Sequence, residues 1–131
     1  MRLRSVLLAV ALLPAAVGCG GGDGVDKQAS CDRMKEAIKS IGTLQAEENG
    51  TGDGDFTKIY SDAATKIRSA ADSSSDDNVK TAGTQVADAL DQLAKAQSSG
   101  DPSGGPEALE ASGRLATAAG SFEKHCGPVE G

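Results

Sequence analysis

The chain has 131 residues and a formal net charge of −6 at pH 7, so it repels nucleic acid and anionic lipid headgroups rather than binding them. Its aromatic residues are two phenylalanines and one tyrosine, too few for a platform on which bases or sugars stack. Alanine supplies much of the apolar fraction, and β-branched residues are few, a composition that favours helices over sheets.

The N-terminus has the pattern of a secretory signal peptide. Arg2 and Arg4 precede an apolar run that extends to Leu13, and small residues follow it. A membrane-spanning helix needs about 20 apolar residues, and this run is shorter. We therefore predict a cleaved leader over residues 1–18 and not a transmembrane anchor.

The small residues Ala16-Val17-Gly18 and the cysteine after them, Cys19, resemble the lipobox of bacterial lipoproteins, with Ala16 where that family usually has leucine. The resemblance implies diacylglycerol transfer to the Cys19 thiol and cleavage before it. It also implies a mature protein held by its lipid on the extracytoplasmic face of a cell membrane. In a host with two membranes, Gly20 after the lipidated cysteine would resemble the signal for outer-membrane sorting.

Cleavage before Cys19 leaves 113 residues, a normal size for one domain. Two arginines leave with the leader, so 11 basic and 19 acidic side chains remain and the net charge becomes −8. With Cys19 assigned to the lipid, Cys31 and Cys126 are left as a pair. Exported proteins meet an oxidising compartment, so a disulfide is expected. The alternative is two free thiols, but no second cysteine or histidine lies near Cys31 in the sequence.

Four helices are predicted after a flexible, glycine-rich tether over residues 19–29. Ser30 is the expected N-cap of a helix over 31–48, and either Asp53 or Asp55 caps a second helix over 56–73. Ser74 and Asp77 resemble a capping box before a helix over 76–98. Pro106 is expected to open the fourth helix, which Gly127-Pro128 stops after Cys126.

Each helix carries an apolar stripe at three- and four-residue spacing, which is typical of a bundle. The stripes comprise Met34, Ile38, Ile41 and Leu44; Phe56, Ile59, Tyr60, Ala63, Ile67 and Ala70; Val79, Ala82, Val86, Ala89, Leu90, Leu93 and Ala96; and Ala108, Ala111, Leu115, Ala118 and Phe122. We predict an all-α, up-down-up-down four-helix bundle over residues 30–128, followed by a short tail over 129–131.

In that topology the start of the first helix and the end of the fourth lie together, which supports pairing Cys31 with Cys126. A closed loop of this length stabilises a fold by roughly 4–5 kcal/mol in the chain-entropy model. Gly113 and Gly120, seven residues apart on the fourth helix, either permit close helix contact or are tolerated weaknesses.

Catalytic and metal-binding patterns are weak throughout the sequence. His125 is the single histidine and has no activated nucleophile beside it. Tyr60 and His125 are haem-ligand types, and the architecture resembles small secreted helical haem carriers, but about 27 Å of helix would separate the two. The loop over residues 49–56 has part of a calcium-binding pattern without its opening aspartate and closing glutamate. Asp76 and Asp77 are interpreted as helix caps, and Asp88 and Asp91 as a solvated helix face.

The sequence therefore predicts no enzyme, no cofactor and no metal site. Its mature part resembles small secreted helical-bundle lipoproteins of no known activity. We expect a non-enzymatic interaction or envelope-structural module that contacts the membrane through Cys19 and an envelope protein partner. One alternative is a carrier of a small apolar ligand or haem, which needs an internal cavity. Another is a polar spacer with loosely formed helices.

Overall fold

The computed structural model describes residues 23–51, 56–99 and 105–130, which form four α-helices with no strand in those ranges. The predicted all-α four-helix fold is confirmed, whereas the up-down-up-down order stays a prediction. The helices are α1 (Asp23–Thr51), α2 (Phe56–Asp72), α3 (Asp77–Ser98) and α4 (Pro106–Cys126).

Helix α3 is the centre of the fold, because it packs extensively against both α2 and α4. Its sequence has apolar residues on two adjoining stripes, so it presents a packing surface to each neighbour. Helix α1 packs mainly on α2 and touches α3 and α4 only slightly, and within the described chain the backbones of α2 and α4 do not come close to each other. The buried residues of α3 are Val79, Ala82, Gly83, Val86, Ala87, Ala89, Leu90, Leu93, Ala94 and Ala96.

The core combines a few large side chains with many alanines. Alanine buries less area than leucine, so a core of this kind depends on close approach of the helices. The largest fully buried side chains are Phe122, Met34, Ile67, Leu90, Val79 and Cys31.

At Gly83 the helices α1, α2 and α3 meet closely. A Cβ atom added there would lie 2.5 Å from Met34 Sδ and 2.7 Å from Ala71 Cβ. Both distances are below van der Waals contact, so this position has room only for hydrogen. The two glycines noted in the sequence behave differently, since a Cβ at Gly113 or Gly120 would have nothing within 4 Å. Neither of them mediates helix contact within the described chain.

We expect Gly83→Ala to lower the free energy of unfolding by about 1–2 kcal/mol, because overpacking of about 1–3 kcal/mol outweighs a gain in helix propensity of at most about 1 kcal/mol. Gly113→Ala is the matched control. It gains the same propensity without a clash, so its stability should rise by about 0.5–1 kcal/mol. Urea denaturation followed by circular dichroism at 222 nm measures both, and equal changes would contradict the close approach at Gly83.

The start of α1 corrects two predictions. Residues 23–29, expected in the tether, belong to the helix, and Ser30 lies inside it rather than capping it. Lys27 Nζ lies 3.1 Å from Asp76 Oδ2, and Gln28 Nε2 donates to Asp32 Oδ1 at 2.8 Å. The first contact ties the first described turns to the residue before α3, and the second lies within α1 itself. Ser30 is buried, with its Oγ 3.4 Å from Ser73 Oγ.

At the start of α3, the interpretation of Asp76 as a cap is confirmed, whereas the capping box of Ser74 and Asp77 is wrong. Asp76, not the Ser74–Asp77 pair, caps this helix: its Oδ1 accepts hydrogen bonds from the backbone N–H groups of Asn78 at 2.9 Å and Val79 at 3.2 Å. Ser74 is buried instead, and its Oγ accepts from the backbone N–H of Asp76. A carboxylate next to the helix satisfies two free donors at once, which a capping serine two residues earlier does not.

The remaining helix ends agree with the sequence to within a few residues. Helix α1 continues to Thr51, three residues beyond the prediction, and α2 ends one residue early at Asp72. Helix α4 begins at Pro106 and ends at Cys126 as predicted, and Gly127 adopts φ = 77° with its N–H bonded to the Glu123 carbonyl at 2.8 Å. The capping positions at Asp53 and Asp55 lie outside the described residues.

The predicted disulfide is confirmed. Cys31 and Cys126 are 95 residues apart in sequence, and their Cα atoms are 5.3 Å apart. Cys31 lies two turns inside α1 rather than at its first residue, and Cys126 is the last residue of α4. Both are buried. The bond therefore joins two helices that otherwise touch only slightly.

Candidate binding groove

An apolar groove lies between α1 and α4, with α3 as its floor. It exists because α1 packs on α2 and leaves much of its α4-facing side uncovered beyond the disulfide. Its volume is about 250 Å³. We call it the α1–α4 groove; its lining residues are Ile38 and Ile41 of α1, Val86 and Leu90 of α3, Leu115, Ala119, Phe122 and Glu123 of α4, and Val129 of the tail.

Eight of these nine residues are apolar, so the groove suits an aliphatic or aromatic group and offers almost no hydrogen-bonding partner. Leu90 and Phe122 form a buried floor, whereas the walls of Ile38, Ile41 and Leu115 are only half-buried. The single charge is Glu123, which gives the groove a negative margin. The arrangement can bind an apolar group, but it contains no acid–base pair and no nucleophile.

Six of the eight apolar groove residues belong to the stripes predicted from the sequence, whereas Ala119, Val129 and the groove itself were not predicted. The predicted stripe on α1 is not buried along its whole length. Met34 is buried, but Ile38 and Ile41 are half-buried and Leu44 is 38% exposed. Periodicity identifies the apolar side of a helix, but it does not show whether another helix covers that side. The uncovered part of the α1 stripe forms one wall of the groove.

Asp88 and Asp91 are not a merely solvated pair. Arg68 of α2 donates to Asp88 Oδ1 at 2.8 Å and to Asp91 Oδ2 at 2.9 Å, which ties α2 to α3. These hydrogen bonds, the one to Asp91 foremost, raise the pKa of the Arg68 guanidinium above its ordinary value. All three side chains are at least one-third exposed, so each ion pair contributes at most about 1 kcal/mol. The cluster is structural.

At the α2–α3 link, hydrogen bonding from the Val79 N–H and from Lys27 holds the pKa of Asp76 below its ordinary 3.8. A lowered carboxyl pKa stabilises the fold above the unfolded-state pKa, and this contribution is lost as the pH falls through the folded-state value.

Asp76→Asn keeps the cap but removes the charge. We expect the wild type to be more stable than this variant at pH 7, with the difference lost as the pH falls through the lowered folded-state pKa of Asp76. Thermal melts across this range measure it; a difference independent of pH would contradict the assignment.

Tyr60 and His125 are not brought together. The Tyr60 hydroxyl accepts a hydrogen bond from Gln45 Nε2 at 2.6 Å near the start of α2, and His125 is half-buried at the end of α4. The backbones of the described parts of α2 and α4 do not come close to each other, and neither residue lines the α1–α4 groove. The geometry therefore offers no joint haem site from these two residues.

Other predicted features fall partly or wholly outside the structure. Residues 52–55 of the glycine-rich loop and the whole N-terminal stretch over 1–22, Cys19 included, are not described. Within the described ranges, no three histidine, cysteine, aspartate or glutamate side chains are grouped so that they could hold a metal ion. Among the same residues, we find no helix with the length and hydropathy needed to cross a bilayer.

Comparison with known proteins adds no assignment. No protein family, curated protein or solved structure matches this chain. Interpretation of the groove therefore depends on its own geometry and chemistry.

Proposed function

We propose that the mature chain is a lipid-anchored, non-enzymatic interaction module on the extracytoplasmic face of a bacterial membrane, attached through Cys19. The α1–α4 groove is its binding surface. The observation that carries this proposal is an apolar opening on the outside of an otherwise packed bundle. Apolar surface that remains partly open to solvent on a small domain is typical of a contact site for another molecule.

The occupant that fits the groove is one amphipathic helix of an envelope protein. Leu115 and Phe122 are seven residues apart on α4, so the groove is about 10 Å long, which matches apolar anchors at positions i, i+3 or i+4, and i+7 of a bound helix. Glu123 on the margin and the net charge of −8 favour basic residues beside those anchors. The partner is therefore a helix with an aliphatic stripe flanked by lysine or arginine.

A carrier of a small apolar ligand is the second candidate, supported by the nearly complete absence of polar groups from the groove. Its volume is below the range of about 300–1,000 Å³ found for small-molecule sites. Tyr60 and His125, the haem-ligand types, lie elsewhere. These points rank the carrier below the interaction module.

The anchor is tested by Cys19→Ala in cells that express the full chain. We expect the wild type to fractionate with membranes and to incorporate a labelled fatty acid, because lipid on Cys19 supplies the attachment. The variant should lose the label completely and leave the membrane fraction. Trypsin added to intact spheroplasts measures the side of the membrane, and wild type protected from digestion would contradict the extracytoplasmic location.

The groove is tested with two amphipathic peptides of about 18 residues, long enough to form a helix, one of leucine and lysine and one of leucine and glutamate. The full lipidated chain is held in lipid nanodiscs, and binding is followed by fluorescence anisotropy of the labelled peptide. We expect the lysine peptide to bind and the glutamate peptide not to bind.

Ile41→Lys and Thr43→Lys form a matched pair for this measurement, since both add one charge to α1 but only Ile41 lines the groove. Ile41→Lys should weaken binding of the lysine peptide at least tenfold more than Thr43→Lys does, with circular dichroism confirming that both variants are folded. Equal effects would overturn the groove as the binding surface. Displacement of a hydrocarbon probe, without any peptide binding, would favour the carrier.

A further inference from the structure

One side of α4 has no partner within the described chain. Four exposed residues of α4 follow one another at spacings of four, three and four residues: Leu109, Gly113, Ala116 and Gly120. This spacing places them on one side of the helix, which we call the outer face of α4. Leu109 is 77% exposed, more than any other large hydrophobic residue described. The face has the pattern of a helix-packing seam that nothing in the described chain covers.

We infer that the outer face of α4 pairs with the same face of a second copy of this chain, with the two helices antiparallel and a two-fold axis at Ala116. In such a pair Ala116 faces Ala116, Gly113 faces Ala119, and Leu109 faces Glu123 of the other copy. The interface is isologous, so each contact occurs twice.

The shape of the face suits a second copy because it holds both a protruding side chain and the space to receive one. Positions 113 and 120 are open, with nothing within 4 Å of either Cβ position. Small residues at the centre let two helices approach to the short end of the usual 8–10 Å range. Leu109 of one copy then lies beside Ala119, Gly120 and Glu123 of the other, next to the margin of the α1–α4 groove.

The charges on one flank of this face are complementary in the antiparallel arrangement. Lys124 takes part in none of the ion pairs formed among the described residues, and Glu110 is exposed and binds only Arg114 of its own helix. With the axis at Ala116, Lys124 of one copy and Glu110 of the other are displaced along the helix axis by two residues, or about 3 Å. Two intermolecular ion pairs result, and the opposed helix dipoles attract each other.

One pair of helices buries little area, so the association is weak in solution. Anchoring both copies to one membrane raises their effective concentration and favours pairing. Only this last step depends on the lipid proposed at Cys19; the pairing of the two faces does not. A failed lipidation test would therefore leave the pairing intact.

The first test is disulfide cross-linking of Ala116→Cys, because a residue on a two-fold axis meets its own copy. The full chain carries Cys19→Ser as background and keeps the Cys31–Cys126 bond. Gln97→Cys, exposed near the end of α3 and outside the α4 face, is the control. Under copper-phenanthroline we expect Ala116→Cys to form covalent dimer at least tenfold faster than Gln97→Cys. Equal rates would overturn the inference.

The second test is sedimentation equilibrium of the full chain with Leu109→Asp or Gly120→Leu. The first substitution removes the protruding side chain and the second fills the space opposite it, so each should weaken self-association at least tenfold. Both positions are exposed, and unchanged thermal melting would show that the fold is intact. Self-association equal to wild type in both variants, or a monomer at every concentration for wild type, would overturn the pairing.

Discussion

Replacing Cys31 and Cys126 together by alanine is expected to lower the free energy of unfolding by about 4–5 kcal/mol. The bond closes a loop of nearly a hundred residues, and its main contribution is to restrict the unfolded chain. Domains of this size have a total stability of about 5–15 kcal/mol, so the loss is about a quarter of it or more. Since 1 kcal/mol shifts the melting temperature of such a domain by about 4–8 °C, we expect a drop of about 20 °C or more.

The packing explains why no other contact in the described chain replaces this bond. Helix α1 touches α4 only slightly, and its packing on α2 does not restrain α4. Without the bond, α1 and α4 are linked mainly through α2 and α3. We therefore expect protection from hydrogen exchange to fall first in α1.

Guanidinium denaturation of the double variant and of reduced wild type measures the effect, and the two should agree. The control for thiol chemistry alone is the Cys19→Ser variant with its disulfide oxidised. Its free energy of unfolding should match that of the wild type. A loss below about 1 kcal/mol would contradict the chain-entropy account and would mean that packing of α1 on α2 suffices.

Phe122→Ala is expected to cost about 3–5 kcal/mol, the range for truncating a large buried aromatic residue. Phe122 is 1% exposed and is the largest of the fully buried side chains. In a core made mostly of alanine, few neighbouring side chains are large enough to fill the space that it leaves. The floor of the α1–α4 groove should therefore deepen rather than collapse.

Chemical denaturation with the disulfide intact measures this loss, and Leu109→Ala serves as the control. Leu109 is a large hydrophobic residue of the same helix but is exposed, so its truncation should change monomer stability by less than about 0.5 kcal/mol. A hydrocarbon probe should bind Phe122→Ala more tightly than wild type, because the groove is deeper. Weaker probe binding would mean that the groove closes on truncation.

The features that the sequence predicted well depend on local or countable signals. Pro106 and Gly127 bound α4 because the first fixes a helical φ without needing an N–H partner and the second adopts a positive φ. The pairing of Cys31 with Cys126 followed from an odd cysteine count together with the lipobox resemblance. These inferences need no knowledge of how the helices pack.

The features that the sequence did not predict depend on contacts between residues that are distant in the sequence. The first turns of α1 are held by the contact of Lys27 with Asp76, 49 residues away, which no helix propensity reveals. Gly83 resembles a weakness of α3 until Met34 and Ala71 are placed against it. The α1–α4 groove likewise depends on which side of α1 meets α2. Tertiary packing decides all three.

The position of Asp23 limits where this protein can act. Three residues separate it from Cys19, so at most about 14 Å of chain joins Cys19 to α1. Ile38 lies fifteen residues, or about 22 Å, further along the helix. For a chain anchored at Cys19, the groove can therefore stand no more than about 36 Å from the site of lipid attachment. If Cys19 carries the proposed lipid, the proposed partner helix has to come within this distance of the bilayer, which requires a membrane protein or a protein held beside the same bilayer.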